Sequence, residues 1–386
     1  TICEGEFDAM AGHEAGVPNA VSVPSGAEDF TWVDTCWDFI NEFEKVYLFG
    51  DNDEPGEKMI RSLSAKLSHL RVHVVKHPYK DANELLFRDG REALFNAWDN
   101  AEEVTPEGLV RLADVAPMDK DRPRMRTSIS RLNQMLGGFY FSDVSVITGR
   151  SGEGKSTLLS QLLLDAVNGG HRVCAYSGEL RADHFQYWSD LQAAGRAQVS
   201  EYYDTVNNRN VPYVKKETRD KIHRWYGDNY WLYDNSISTE DENSSVLKVF
   251  EIAAKRYNCK VFAIDNLMTV DFGQTNERDF YRRQSAFVGK VVNFAKLHEA
   301  HVFLVAHPRK SEGKITKDDI GGSGDIHNRV DNAFSLQRNT DGAYDSTLGV
   351  LKNRWEGILD DVALNFDEYS KRFYTPSDGE NMQYGW

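Results

Sequence analysis

The sequence is short of cysteine, of positive charge and of long apolar runs. Only four cysteines, Cys3, Cys36, Cys174 and Cys259, stand among 386 residues, and none has Cys-x-x-Cys spacing. That scatter argues against a disulfide framework and a zinc module, and it fits a reducing compartment. Lys and Arg number 45 against 60 Asp and Glu, a net charge of −15. This speaks against nonspecific coating of nucleic acid, yet leaves room for a strand held in a local basic channel. No apolar run is long enough to span a bilayer, so no membrane partner is expected. The first residues show no signal-peptide layout. What remains is globular, 40% hydrophobic and 27% charged, in a chain long enough for two or three domains.

The stretch Gly149-Arg150-Ser151-Gly152-Glu153-Gly154-Lys155-Ser156 organises what is present. It fits G-x-x-x-x-G-K-[ST], the phosphate-binding P-loop. Val144 to Ile147 enters it as an expected strand, and Thr157 to Val167 leaves it with helical periodicity. Backbone N–H groups freed by the glycines point at phosphate, and a helix N-terminus adds partial positive charge. Lys155 is placed for the β/γ-phosphates and Ser156 for Mg²⁺.

Before the P-loop, short strands alternate with helices. Expected strands end at Cys3, Val23, Phe49 and Val75, and Glu57 to Leu70 has helical periodicity. This implies a parallel α/β sheet, whose chemistry gathers at strand carboxyl ends. Glu4, Asp51 and Asp53 fall at such ends, and Asp81 follows a later strand. Acids so placed suit Mg²⁺, and they also serve as helix caps. Glu-Gly at one strand end and Asp-x-Asp at another resembles the Toprim domain of primases and topoisomerases. Lys80-Asp81-Ala82-Asn83-Glu84 resembles a late motif of the phage primase version. The resemblance makes Glu4, Asp51, Asp53 and Asp81 metal-binding acids. Residues 101 to 122 read as a connector: a weak helical pattern at Leu109, Val110, Leu112 and Val115, broken after Pro117.

After the P-loop, the expected strand Arg172–Tyr176 runs into Ser177-Gly178-Glu179, where a carboxylate can deprotonate water. A solvent-facing loop acid is the alternative. Val261–Ile264 ends in Asp265, a Walker B arrangement that suits Mg²⁺. His301–Ala306 is capped by His307, either a γ-phosphate sensor or a structural histidine. Arg309, Lys310, Lys314 and Lys317, then Gly322, Ser323 and Gly324, form a cationic loop in an acidic chain. It suits single-strand phosphates, or it is a solvated turn. Lys352 and Arg354 follow a late strand, where a guanidinium can act on phosphate in trans or make a surface ion pair.

The order of these elements resembles the bifunctional primase–helicases of tailed phages and their organellar Twinkle relatives, across nearly the whole chain. The implied fold is α/β: a Toprim domain (1–100), a linker helix and connector (101–122), and a RecA-like P-loop NTPase domain with a mostly parallel sheet (123–375). A loose tail (376–386) is expected after it. The resemblance implies Lys155, Glu179, His307 and Arg354 as catalytic residues. It implies a nucleotide site of Gly149, Ser151, Gly152, Glu153, Gly154, Lys155, Ser156 and Thr157, with Arg338 and Phe366 sandwiching the base and Lys352 beside the arginine finger. Metal falls to Ser156 and Asp265, and DNA to the loop from Arg309 to Gly324. It further implies Mg²⁺ with ATP or dTTP as fuel. The implied assembly is a homo-oligomeric, hexamer-like ring on single-stranded DNA at a replication fork, with a replicative polymerase as partner. The implied setting is a host cytoplasm or a mitochondrial nucleoid. The implied activity is 5′-to-3′ unwinding. Primer synthesis through the Toprim acids and RecA-type recombination are the alternatives. The family's zinc-binding module is not seen in the sequence, and Asn328 stands where phage members often carry Gln.

Overall fold

A five-stranded and a nine-stranded sheet, each mostly parallel, lie one in each of two units, Thr1–Met118 and Asp119–Trp386. The computed structural model describes the chain except for residues 25–28, 107, 120, 235–241, 271–276, 309–314 and 321–325.

The first unit orders its strands Val21–Ser22, Ile2–Cys3, Lys45–Phe49, Arg71–Val74 and Glu102–Glu103, all parallel except the last. Successive strand residues serve opposite faces, as a pleat requires. Ile2 and Leu48 pack with Met59 and Leu63 of helix Glu54–Lys66. Cys3 and Phe49 pack with Ala9, Leu85 and Leu94 of helices Glu6–Ala15 and Ala82–Asp99. Two helices start on aspartate caps. Asp53 accepts from the Gly56 N–H at 3.1 Å, and Asp81 accepts from the Glu84 N–H at 2.7 Å.

The expected linker helix is not formed. Among the described residues from 104 to 118, regular structure is limited to one 3₁₀ turn, Leu112–Asp114. Leu109, Val110, Leu112 and Val115 are all exposed. With no face buried within the chain, four apolar residues at helical spacing do not offset the cost of helix nucleation.

The second unit is built on nine strands. Tyr230–Leu232, Arg172–Ser177, Cys259–Asp265, His301–Ala306, Val144–Thr148 and Asn332–Arg338 run parallel in that spatial order. Ser346–Asn353, Asp361–Asp367 and Arg372–Tyr374 extend the sheet antiparallel. Val261, Ala263, Phe303 and Val305 face the P-loop helix Lys155–Asn168, against Leu159, Leu162 and Leu163. Phe262, Ile264, Val302 and Leu304 face Phe250, Val288 and Val291 of helices Glu242–Tyr257 and Glu277–His298. Such two-sided burial explains why these strands read as continuous apolar runs. An antiparallel hairpin, Val199–Asp204 with Arg209–Val214, is an addition that the sequence reading did not anticipate.

The C-terminal segment is docked rather than loose. Tyr384 is buried, and its hydroxyl donates to Asp165 Oδ1 at 2.9 Å. Trp386 donates to the Ala193 carbonyl at 2.8 Å, and Asp378 accepts from the Ser130 N–H at 3.0 Å. Composition pointed to a loose tail because polar residues outnumber apolar ones. Two aromatic side chains with satisfied polar tips decide otherwise.

Candidate active site

The P-loop leaves strand Val144–Thr148 and enters helix Lys155–Asn168. Gly154 holds φ +91°, and a Cβ there would lie 2.9 Å from the Phe373 ring, so only glycine fits. Lys155 is 6% exposed, and its ammonium donates to the Arg150 carbonyl at 2.8 Å. Burial lowers its pKa, while Glu179, Asp265 and Glu153 pull it back up.

Asp265 ends its strand facing this ammonium and is 1% exposed. Burial pushes its carboxyl up to about 6; the Ser156 hydroxyl opposes the shift, Glu179 adds to it, and Lys155 and His307 oppose it. The Ser156 hydroxyl is near enough to act on that pKa, yet neither Asp265 oxygen makes a hydrogen bond of ordinary geometry. An orphaned buried carboxylate beside a hydroxyl fits a hard divalent cation, which prefers such oxygens. Asp265 and Ser156 therefore fit Mg²⁺.

Glu179 and His307 come from the ends of the two strands that flank the Asp265 strand, and they meet. His307 Nε2 lies 3.3 Å from Glu179 Oε1. Between them is Asn266, which the sequence reading missed. Its amide nitrogen reaches Glu179 Oε1 and lies 3.0 Å from His307 Nε2. An asparagine next to a Walker B aspartate carries no pattern of its own, so only the fold could reveal it.

On the other side of the P-loop lies a cavity of about 210 Å³. Gly152, Gly154, Thr157, Arg338, Phe366 and Phe373 are among its lining residues. The two expected base-sandwiching residues are thus brought to one cavity. Glu153 accepts from the Arg338 N–H across it. Gly149 and Ser151 belong to the loop itself.

Lys352 and Arg354 are elsewhere. Asn353 pairs with Asn332, which pairs with Ser145 at the start of the P-loop strand. The P-loop leaves the far end of that strand at Thr148, about 10 Å away at ~3.3 Å per residue. Arg354 is held by Asp331, whose other oxygen accepts from the Val144 N–H at 2.9 Å. Lys352 donates to the carbonyls of His327 at 2.7 Å and Asn328 at 3.3 Å. Within one subunit, then, Arg354 makes an ion pair.

Of the expected DNA loop, Arg309, Lys310, Lys314, Gly322, Ser323 and Gly324 lie outside the described residues. Lys317 is exposed on the single turn Lys317–Asp319. Pro308 and Ile320 bridge at the stem of this region, and Ile315 and Ile320 are buried.

In the first unit, Glu4, Asp51 and Asp53 bring one carboxylate oxygen each to within 4.8 Å of one another. Asp81 stands outside that group as a helix cap. Burial pushes Asp51 up to about 6, helped by Glu4 and Asp8 and opposed by Lys80. Lys80 approaches Asp51 at 3.7 Å. Three crowded acids with one exposed lysine also fit a hard divalent cation. Asp8, buried and also raised mainly by burial, adds negative charge that the sequence reading did not count.

Residues 1–86 match the Toprim-like family, and residues 116–313 match the AAA domain family. The chain is similar to the Twinkle homolog protein, chloroplastic/mitochondrial, of Arabidopsis thaliana: 27% identity over 97% of this chain and 58% of that protein. It is also similar to the DNA helicase/primase of Enterobacteria phage T3, at 25% identity over 100% of this chain and 71% of that protein. The chain thus spans little more than half the length of the plant relative. Among solved structures, a DnaB-like replicative helicase described with its interactions with primase superposes with a TM-score of 0.56. At 13% identity, over 91% of this chain and 80% of that one, that likeness speaks for the fold alone.

Proposed function

The chain belongs to the AAA domain family, and from that premise we propose that it is a replicative DNA helicase motor. It works as a ring, hydrolyses nucleoside triphosphate, and draws one DNA strand through its centre in the 5′-to-3′ direction. The Toprim-like unit at its front is primase-derived. The phage relative's name, a DNA helicase/primase, and the Twinkle relative support this reading.

One observation carries it: Lys155 and Arg354 lie at opposite ends of the same sheet. A single subunit holds half of a hydrolytic site. A head-to-tail neighbour supplies the other half, and a heterologous interface that closes makes a ring.

In that shared site, Lys155 exchanges the Arg150 carbonyl for the β/γ-phosphates. Ser156 and Asp265 hold Mg²⁺, which when bound supplies positive charge against the triphosphate. Glu179 takes the proton of the attacking water on a carboxylate oxygen. His307 donates to the γ-phosphate, and its loss of that partner reports hydrolysis. The neighbour's Arg354 leaves Asp331 and stabilises the transferring phosphoryl group. Arg338 and Phe366 hold the base. Lys310, Lys314 and Lys317 grip strand phosphates.

A second reading is favoured by one feature, the Glu4, Asp51 and Asp53 group: template-dependent primer synthesis in the same chain. It predicts oligoribonucleotide products that vanish in Asp51→Ala.

The test is forked-duplex unwinding with ATP and dTTP in turn, beside particle imaging. Strand separation with at least one fuel, by ring-shaped particles, is expected. Strand exchange without unwinding would point to a recombinase instead. Inactive Lys155→Ala and Arg354→Ala proteins should regain hydrolysis when mixed, because some mixed interfaces are intact on both sides. No recovery in rings shown to be mixed removes the trans argument.

A further inference from the structure

The turn that follows Asp265 is built into both neighbouring strand ends. Gly178 donates its N–H to the Asp265 carbonyl at 2.6 Å. A Cβ on Gly178 would fall 1.9 Å from Thr269 Oγ1, so the Glu179 loop lies directly on this turn. Tyr176 donates its hydroxyl to the Thr269 carbonyl at 3.2 Å. At the centre is Asn266, 1% exposed.

The orientation of the Asn266 amide is fixed by its surroundings. The N–H groups of Met268 and Thr269 donate to one side-chain atom, at 2.8 and 3.2 Å. That atom must be the carbonyl oxygen, so the NH₂ group faces the other way. There it meets Glu179 Oε1 and, at 3.0 Å, His307 Nε2. A carboxylate accepts from an amide N–H without conflict. His307 Nε2 accepts from this amide when its ring proton sits on Nδ1, and donates to Glu179 Oε1 at 3.3 Å when the proton sits on Nε2, so in either tautomer the three side chains stay joined.

We propose that Asn266 is a positioning residue for hydrolysis, its amide locking Glu179 and His307 into one register so that base and phosphate sensor move together. This rests on the roles given above to Glu179 and His307. Both are partly exposed, at 44% and 35% of their side chains, while Asn266 is enclosed. Partly exposed side chains sample many rotamers; a buried amide tied to two backbone N–H groups does not. General-base catalysis depends on that restriction, since a misplacement of about 1 Å costs roughly 100-fold.

The experiment measures steady-state hydrolysis and fluorescent-nucleotide binding on the full chain. Asn266→Asp keeps the oxygen that accepts from Met268 and Thr269, and replaces the donor with an acceptor. Asn266→Ser keeps a hydroxyl able to hold the turn, stays neutral beside Asp265, and is too short to reach Glu179. Each should lower kcat about 100-fold, with KM and binding within about twofold in protein that melts cooperatively. Normal kcat in either variant overturns the inference, as does a rise in KM with kcat intact. If Asn266→Asp does not fold, Asn266→Ser decides by the same criteria. Glu179→Gln separates the two levels. Full hydrolysis by that variant removes the base assignment itself. An inactive Glu179→Gln beside an active Asn266→Ser removes only the role of Asn266.

Discussion

The chain holds two carboxylate sites at strand ends, and they solve opposite problems. In the first unit, Glu4, Asp51 and Asp53 crowd together with one partly exposed lysine nearby. In the second, one buried acid, Asp265, faces a buried ammonium and a hydroxyl. Both Asp51 and Asp265 are pushed up to about 6, and burial is the largest cause for each. Their neighbours differ. Around Asp51 three further acids, Glu4, Asp8 and Asp53, add to the shift against Lys80, whereas around Asp265 Ser156, Lys155 and His307 oppose it and Glu179 adds to it. Three acids against one lysine leave the first site with an excess of negative charge. The second already sets an ammonium and a hydroxyl beside its acid.

The comparison breaks most visibly at Lys155. Lys155→Ala should cut triphosphate hydrolysis by about 10²–10³-fold or more, the scale of losing a preorganised electrostatic contact. The same change should leave Mn²⁺ binding by the first unit untouched. Asp51→Ala should do the reverse. Steady-state hydrolysis and metal titration on both variants check this, and crossed effects would mean that the sites are not separate.

A smaller effect sharpens the contrast. Asp51→Asn removes one of three crowded charges, so the metal-free first unit should melt a few degrees higher, in proportion to a stability gain of about 1 kcal/mol. It should also lose the upward shift that Mg²⁺ or Mn²⁺ gives the wild type, since ligand binding to the native state is what raises the midpoint. Calorimetry with and without cation reads both. A wild type that ignores the cation would reduce the three acids to turn formers.

How much of this was legible follows from what each element depends on. The P-loop, the Walker B strand and the strand-end acids rest on local pattern, because the chemistry demands particular residues at fixed spacing. Arg338 and Phe366 were found through resemblance, since residues far apart in sequence meet at the cavity only in the folded sheet. Asn266 left no trace, because its value lies in two partners that come from other strands. Asp81 caps a helix and lies outside the group of Glu4, Asp51 and Asp53, a difference invisible in sequence, where an acid after a strand looks the same in either place. The connector misled in the other direction, since apolar spacing alone cannot say whether a face will be covered.

The docked C-terminal segment gives the smallest effect, and one with a sign. Asp165 is buried, and burial pushes its carboxyl up to about 6, opposed by the Ser128 N–H and the hydroxyls of Tyr384 and Ser128. The native state therefore holds the proton more tightly than the unfolded chain does. The stability this contributes is present below the unfolded value and is lost as pH rises through about 6. Above that, the Tyr384 hydroxyl at 2.9 Å serves an ionised acceptor. Tyr384→Phe should then cost about 1.5–3 kcal/mol at pH 7.5, and closer to about 1 kcal/mol at pH 5, where the acceptor is neutral. Melting both proteins across that range reads the difference. A gap that stays constant with pH would mean that Asp165 keeps one charge state throughout.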